Sequence, residues 1–251
     1  MFSFLYNTIF YEPLYNGLII LLAYIPWINV GVAVILFTII VRFILFPISQ
    51  KSVRTQLEMK KIEPELDDIK KKYKDDKQLQ AQKVMEVYKT KGINPFSGIL
   101  LLIIQLPILW ALYAVFLRGG LPHINLDLLY HFVRVPENVN MFFLGIDVAE
   151  KSTLIAAVAA LTQFLQISMS SNKNPAPKAP QGGQKPSFKD ELAKSMGVQM
   201  KFVMPFMIFI VARSFPIVVS LYLVTSNVFS IVQEVLMARK LNKQENEQRT
   251  N

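Results

Sequence analysis

One cation inside an apolar run is the most chemically loaded feature of this sequence. Arg42 sits within Val30–Ile48, a stretch otherwise free of charge. A guanidinium at the centre of a membrane helix costs about 2.5–3.5 kcal/mol on insertion scales, so its presence there needs a reason. Arg42 precedes Lys51 by nine residues, about 13 Å along a helix at 1.5 Å per residue. That places it in the inner-leaflet half of a hydrocarbon core. Two readings stand side by side. The side chain can snorkel to the nearer interface, or it can be the fixed positive charge of a water-filled cavity that opens inward. Thr38, Arg42 and Ser49 fall on one helical stripe, which favours a polar face over a stray charge.

Other apolar segments carry matching polar positions. Gln105 lies in one. Gln163, Gln166 and Ser170 share a face of another. Ser220, Asn227, Ser230 and Glu234 recur at helical steps in the last. Each could simply hydrogen-bond a neighbouring helix. Together with Arg42 they point to a hydrated groove between helices. No acid lies in the hydrophobic middle of any of these segments, and Glu234 is near the end of its own, so a guanidinium held there would attract an acidic visitor. Met196, Met200, Met204 and Met207 follow at helical spacing. Such a face suits varied apolar ligands, with ordinary packing as the plainer alternative.

The elements that must position these residues are membrane spans. Of the 251 residues 52% are hydrophobic and 18% charged, against about 25% charged in an ordinary soluble domain. Several runs reach the roughly 20 apolar residues that a bilayer core of about 30 Å requires. They are continuous rather than alternating, which predicts helices and not a barrel. The expected fold class is all-α and integral to the membrane: five transmembrane helices around an inward-open hydrophilic groove, with a helical hairpin on the cytoplasmic side and an N-terminal interfacial helix. The expected boundaries are 1–28 for an external interfacial amphipathic helix, 29–48, 95–117, 152–170, 198–215 and 217–237 for the spans, 49–94 for the hairpin, 118–151 for an external loop, 171–197 for a Pro/Gly-rich flexible loop, and 238–251 for a tail.

Charge sets the orientation. Lys and Arg number twelve in Ser49–Asn94, six in Ser171–Lys201 and four from Ala238 onward, against three in Arg118–Lys151 and none in the first 28 residues. The positive-inside bias then puts the N-terminus outside and the C-terminus in the cytoplasm of a multi-pass plasma-membrane protein. No signal or transit peptide is expected in Phe2–Ile25, which lacks a basic n-region and a small-residue cleavage site.

Within Ser49–Asn94, Pro64 suits the first turn of a helix, with Leu66, Ile69 and Tyr73 on one face. Asp76 reads as an N-cap. A second helix then turns Val84, Met85 and Tyr88 inward, and Gly92 stops it. The hairpin could bind an acidic partner such as ribosomal RNA or anionic lipid, or be a solvated face. The absence of cysteine excludes disulfides, thiolate metal sites and a Cys nucleophile. His123 and His131 stand eight apart in a loop, and read as polar loop residues rather than a metal pair. With no phosphate loop, metal cluster, nucleophile–base pair or paired carboxylate, neither an enzyme nor a cofactor is expected.

The chain resembles the YidC/Oxa1/Alb3 family of membrane insertases, and its short five-span bacterial members in particular. The likeness runs from about Asn29 to Met237. It rests on Thr38-Ile39-Ile40-Val41-Arg42-Phe43-Ile44-Leu45-Phe46-Pro47, on Lys72-Tyr73-Lys74-Asp75-Asp76, on Asn94-Pro95, on Gln105-Leu106-Pro107-Ile108, on Met204-Pro205 and on Ser226-Asn227, in that order. The resemblance implies a chaperone-like insertase or translocase that helps nascent membrane proteins enter and fold in the lipid bilayer, alone or with the Sec translocon. Its groove would be formed by Arg42, Thr38, Gln105, Gln163, Gln166, Ser220, Tyr222 and Asn227, open to cytoplasm and lipid but closed outside. A substrate helix would slide past Met200, Met204, Met207 and Pro107. The hairpin tip with Lys70, Lys71, Lys72, Tyr73 and Lys74 would recruit substrate, with the ribosome and the signal recognition particle and its receptor as partners. This chain departs from the family in three places. Leu223 follows Leu221-Tyr222 where Trp is common, Pro216-Ile217-Val218 replaces Pro-Ala-Gly, and Arg213 stands near the end of the fourth span.

Two other classes fit the residues less well. An anion transporter or channel would use Arg42 as a binding charge, but it would want an inverted repeat or broken helices. A passive assembly scaffold would leave Arg42 dispensable.

Overall fold

The computed structural model describes residues 4, 6–94, 97–117, 121–170 and 203–250. The expected flexible loop 171–197, which holds Met196, lies outside the described residues, and so does Met200 of the expected fourth span. Regular structure among them is helical apart from one short hairpin. A π turn, Asn7–Tyr11, leads into α1 (Glu12–Tyr24), followed by α2 (Val30–Ile44), α3 (Phe46–Lys72), α4 (Lys77–Thr90), α5 (Ser97–Leu117), strands β1 (Phe142–Phe143) and β2 (Ile146–Asp147), α6 (Thr153–Ser170), α7 (Met204–Ser214) and α8 (Ile217–Thr250). The described segment Ile217–Lys243 is by itself long and apolar enough to cross a membrane. Gln105–Phe116, Thr153–Met169 and Met204–Ser214 are shorter apolar helices.

The chain divides into two compact units, Met1–Phe43 with Leu106–Ile231, and Ile44–Gln105 with Val232–Asn251. In the first, the starts of two apolar helices are capped by one loop. A helix start leaves N–H groups without intrahelical partners. At α2, Val32 N donates to Asn29 Oδ1 (2.9 Å) and Val30 N to Asn140 O (2.9 Å). At α8, Ile217 N donates to Glu150 O (2.8 Å) and Val218 N to Val148 O (3.2 Å). Asn140, Val148 and Glu150 flank the β1–β2 hairpin, so one chain segment satisfies both ends.

The same segment is stitched to α1. Asn16, only 1% exposed, donates through Nδ2 to Glu12 O and Leu128 O (2.9 and 2.8 Å) and accepts from Tyr130 N (2.7 Å). The Tyr15 hydroxyl accepts from Asn125 N at 2.8 Å. A buried amide is tolerable because its donors and acceptor are used. Along α2, Val30, Ala33, Val34 and Thr38 form the buried stripe, the i, i+3, i+4 pattern of one helical face. Helix α6 packs along α7, and Ala156 and Ala159 on α6 are fully buried, small residues of the kind that let helices approach closely in lipid.

The second unit contains the α3–α4 pair. Pro47, not Pro64, occupies the first turn of α3, and Pro64 lies inside the helix. An interior proline removes one backbone hydrogen bond and costs about 3 kcal/mol. Here Ile62 and Leu66 on either side of it are buried with Ile93 and packed by Met59, Val84, Val87 and Tyr88, and that burial outweighs the lost bond. Asp76 caps α4, its carboxylate accepting from Gln78 N and Leu79 N. Val84 and Tyr88 face α3 as expected, but Met85 is 46% exposed and Val87 takes the inward place, because 100° per residue puts 84, 87 and 88 on one side. Gly92 ends the pair with φ +64°, a conformation that favours glycine.

Gly31 is closely packed within the first unit. A Cβ there would lie 2.6 Å from Phe143 Cβ and 2.5 Å from its Cγ, root atoms that cannot swing aside. Gly31→Ala is expected to destabilise the protein by about 1–3 kcal/mol through overpacking. The check is a lowered thermal unfolding midpoint of the detergent-solubilised protein.

Candidate functional site

The polar residues of the first unit converge on α8. Ser220, Tyr222, Ser226 and Asn227 are all buried on this helix. Tyr222 and Ser226 are four apart, Ser220 and Asn227 seven apart, so each pair shares a stripe. The Arg42 guanidinium donates through Nη2 to Ser226 Oγ, and the Tyr222 phenol is close enough to interact with it electrostatically. Arg42 is thus turned into the protein rather than out to an interface, which disfavours simple snorkelling. Phe43, the next residue, stacks edge-on against Phe229 with ring centroids 5.3 Å apart. That apolar contact fixes the same α2–α8 seam.

Thr38 is 2% exposed, and its hydroxyl donates to Val34 O at 2.6 Å. It adds a small polar wall one turn from Arg42. On the other side of α8, Asn227 Nδ2 donates to Thr162 Oγ1 (3.2 Å), and Thr162 donates to Ala159 O (2.9 Å). Arg42 and Asn227 thus join α8 to α2 and to α6. Gln163 Nε2 donates to Gln166 Oε1 at 3.1 Å. The two glutamines are joined to each other by this one bond, and among the described residues the pair is not joined to Arg42. Ser226 and Thr162 were not singled out from the sequence as site residues. The signals were present: Ser226 stands one turn beyond Tyr222, and Thr162 directly precedes Gln163.

Gln105 is half-buried and belongs to the second unit, and Ser49 of the expected Thr38–Arg42 stripe belongs there too. In that unit Ser49 and Gln233 are buried and bonded side chain to side chain, Gln233 Nε2 donating to Ser49 Oγ at 2.8 Å. Lys60 pairs with Glu234 at 3.0 Å. The polar stripe of α8 therefore continues past Ser230 as partnered side chains.

The apolar candidates are distributed differently. Met204 and Met207 are 36% and 58% exposed on α7, beside exposed Phe206 and Ile210. Pro107 lies inside α5. It lines an apolar cavity of about 520 Å³ with Leu106, Trp110 and Tyr113 of the same helix, Val211 of α7 and Phe215. Tyr113 meets Phe215 edge-to-face at 4.3 Å. Arg213 is exposed at the end of α7. Such a surface can hold apolar side chains without directional chemistry.

At the α3–α4 tip, Lys70, Lys71, Lys72 and Lys74 are exposed and Tyr73 half-buried. Lys70 and Lys71 pair with Asp67 and Asp68 one turn back, at 3.2 and 3.4 Å. The Lys72 ammonium lies 5.6 Å from the Tyr73 ring centroid. Exposed pairs of this kind are weak, so the tip keeps a basic character that a polyanion can compete for. On α4, the hydrogen bond to Glu86 holds the Lys83 ammonium above its ordinary pKa. No group of three or more metal-ligating side chains occurs among the described residues.

A family model described as "60Kd inner membrane protein" matches residues 21–245. A protein of Fusobacterium nucleatum named membrane protein insertase YidC is 31% identical over 84% of this chain and 87% of its own length. Membrane protein insertase YidC 2 of Bacillus anthracis is 30% identical over 93% of this chain and 81% of its own. A longer relative named YidC, from Oleidesulfovibrio alaskensis, is 32% identical over 93% of this chain, which spans only 39% of that protein.

Ser226→Ala removes the acceptor of the Arg42 bond. A hydrogen bond to a charged group is worth about 1.5–3 kcal/mol, so stability is expected to fall by that order, and Ser226→Thr is expected to retain most of it. Thermal unfolding of the two variants in one detergent checks this.

Proposed function

The chain belongs to the YidC/Oxa1 family, and on that premise we propose that it is a membrane protein insertase acting without covalent chemistry. The observation that carries the mechanism is the Arg42 guanidinium, turned inward from an apolar helix and hydrogen-bonded to Ser226 of α8. In this reading five spans, α2, α5, α6, α7 and α8 with their flanking residues, enclose a hydrophilic groove. Arg42 supplies its positive charge, with Thr38, Ser220, Tyr222 and Asn227 as neutral polar walls and Gln163 and Gln166 as further members. The N-terminus lies outside and the C-terminus in the cytoplasm, as the lysine distribution supports.

The acidic segment of a nascent membrane protein enters this groove from the cytoplasm. Ser226 itself carries no charge, so a carboxylate can displace it and add the attraction of an ion pair to the hydrogen bond. The substrate's apolar helix meanwhile rests on the exposed faces of α5 and α7, with Leu106, Pro107 and Trp110 on one and Met204 and Met207 on the other. Met200, in the same helical phase of the sequence, extends that slide. Transfer into lipid is driven by apolar surface leaving water, roughly 25 cal/mol per Å². The basic tip of the α3–α4 pair recruits substrate and its carriers, namely the ribosome, the signal recognition particle with its receptor, and the Sec translocon.

The experiment is insertion of a single-span substrate with an acidic translocated tail into proteoliposomes holding only this protein, read by protease protection of the tail. Arg42→Ala is expected to lower protection of the acidic tail at least severalfold while a neutral-tailed substrate is nearly unaffected, and Arg42→Lys to be tolerated. Equal protection of both tails by the alanine variant would falsify the charged-groove mechanism.

A further inference from the structure

Where α3 begins and the apolar part of α8 ends, the second unit holds a small open cavity of about 270 Å³. Three cations from two helices line it: Lys51 and Arg54 of α3 and Lys240 of α8. Pro47, Met237 and Leu241 add apolar side chains to its lining. Met237 is 8% exposed, and Gln50 Nε2 donates to its sulfur at 3.7 Å, so this part of the lining is held in place. Arg54 pairs with Glu58 at 2.8 Å. Among the described residues, Lys51 and Lys240 make no ion pair.

From this arrangement we propose a binding site for the phosphate headgroup of an anionic phospholipid of the inner leaflet. The inference rests on the membrane-spanning reading above, which puts this junction at the cytoplasmic interface. Charge complementarity supplies the phosphate end: two lysines and one arginine face a single opening. Apolar surface supplies the lipid end. Ile44 and Ile48 next to Pro47, and Val232 and Leu236 before Met237, are 40–69% exposed, a surface suited to acyl chains. A nucleic-acid phosphate would need neither the apolar lining nor that flank. The space suits a phosphate with its glycerol, given about 30 Å³ for one water in the liquid. Basic pockets between helices at the cytoplasmic side are a recurrent setting for anionic headgroups.

The test uses the full-length protein purified in a mild detergent, without substrate. Retained phosphatidylglycerol is counted by native mass spectrometry, against phosphatidylcholine as the neutral lipid. Each cation near an anionic surface is worth about 1 kcal/mol, or about fivefold in affinity, so Lys51→Gln with Lys240→Gln is expected to weaken retention about 25-fold. Lys51→Arg with Lys240→Arg restores it, and Lys83→Gln with Lys89→Gln, equal in charge lost, leaves it unchanged. The site is overturned if the double glutamine variant keeps phosphatidylglycerol as the wild type does, or if phosphatidylcholine is held equally. Displacement by millimolar inorganic phosphate would show a general anion site, and displacement by a short RNA hairpin a nucleic-acid one. Either sinks the lipid assignment. Retention is read without substrate, so lysine-dependent, phosphatidylglycerol-selective retention beside failed tail protection would overturn only the insertase reading.

Discussion

Lipid offers a polar group nothing to bond to, so every N–H, hydroxyl and charge taken into it must find its partner in the protein. The first unit is built around that constraint. Its loop segment between α5 and α6 gives carbonyls to the starting N–H groups of α2 and α8. Asn16 spends its amide on the same segment. Arg42 finds Ser226, and Asn227 finds Thr162. Each bond alone is modest, but each removes a polar group that would otherwise be left in an apolar surround, and that alternative is expensive.

The same constraint explains why α8 is the organising helix. It is long enough to carry a buried polar stripe through an apolar length and on into the second unit, where Gln233 and Glu234 meet Ser49 and Lys60. A stripe of neutral hydroxyls and amides can hold a guanidinium without cancelling its charge. A carboxylate in place of Ser226 would give a firmer pair, but it would also neutralise the site and compete with an acidic visitor. In the proposed mechanism, serine satisfies the charge at rest and leaves it exchangeable.

Much of this was legible in the sequence, for identifiable reasons. Arg42 is conspicuous because charge is rare in an apolar run, and the Asp76 cap and the Gly92 stop follow from local backbone chemistry. What the sequence concealed depends on tertiary context. Pro64 marks a helix start by local rules, but burial of Ile62 and Leu66 carries the helix through it. Met85 and Val87 differ by about 200° around a helix, and only the position of α3 decides which turns inward. Ser226 stands out only as part of a family motif and Thr162 not at all, because serine and threonine are common in membrane helices and their importance comes from what stands opposite. Gln163 and Gln166 drew notice as large amides, but they bond each other.

Lysine-rich segments also need their neighbours before their charge can be interpreted. Lys70 and Lys71 at the hairpin tip have aspartates one turn back, whereas Lys51 and Lys240 line a cavity together with apolar side chains. Counting charges treats these as equal, which is enough for an expected orientation, since orientation responds to the sum over short loops. Binding responds to what each cation can still do. The tip offers a polyanion several weakly engaged charges spread along exposed helix, a geometry for transient capture. The cavity offers few charges converging beside apolar surface, a geometry for holding one amphipathic headgroup. In the proposed readings one basic segment supports recruitment at its tip and anchoring at its root, because the neighbours of each lysine differ.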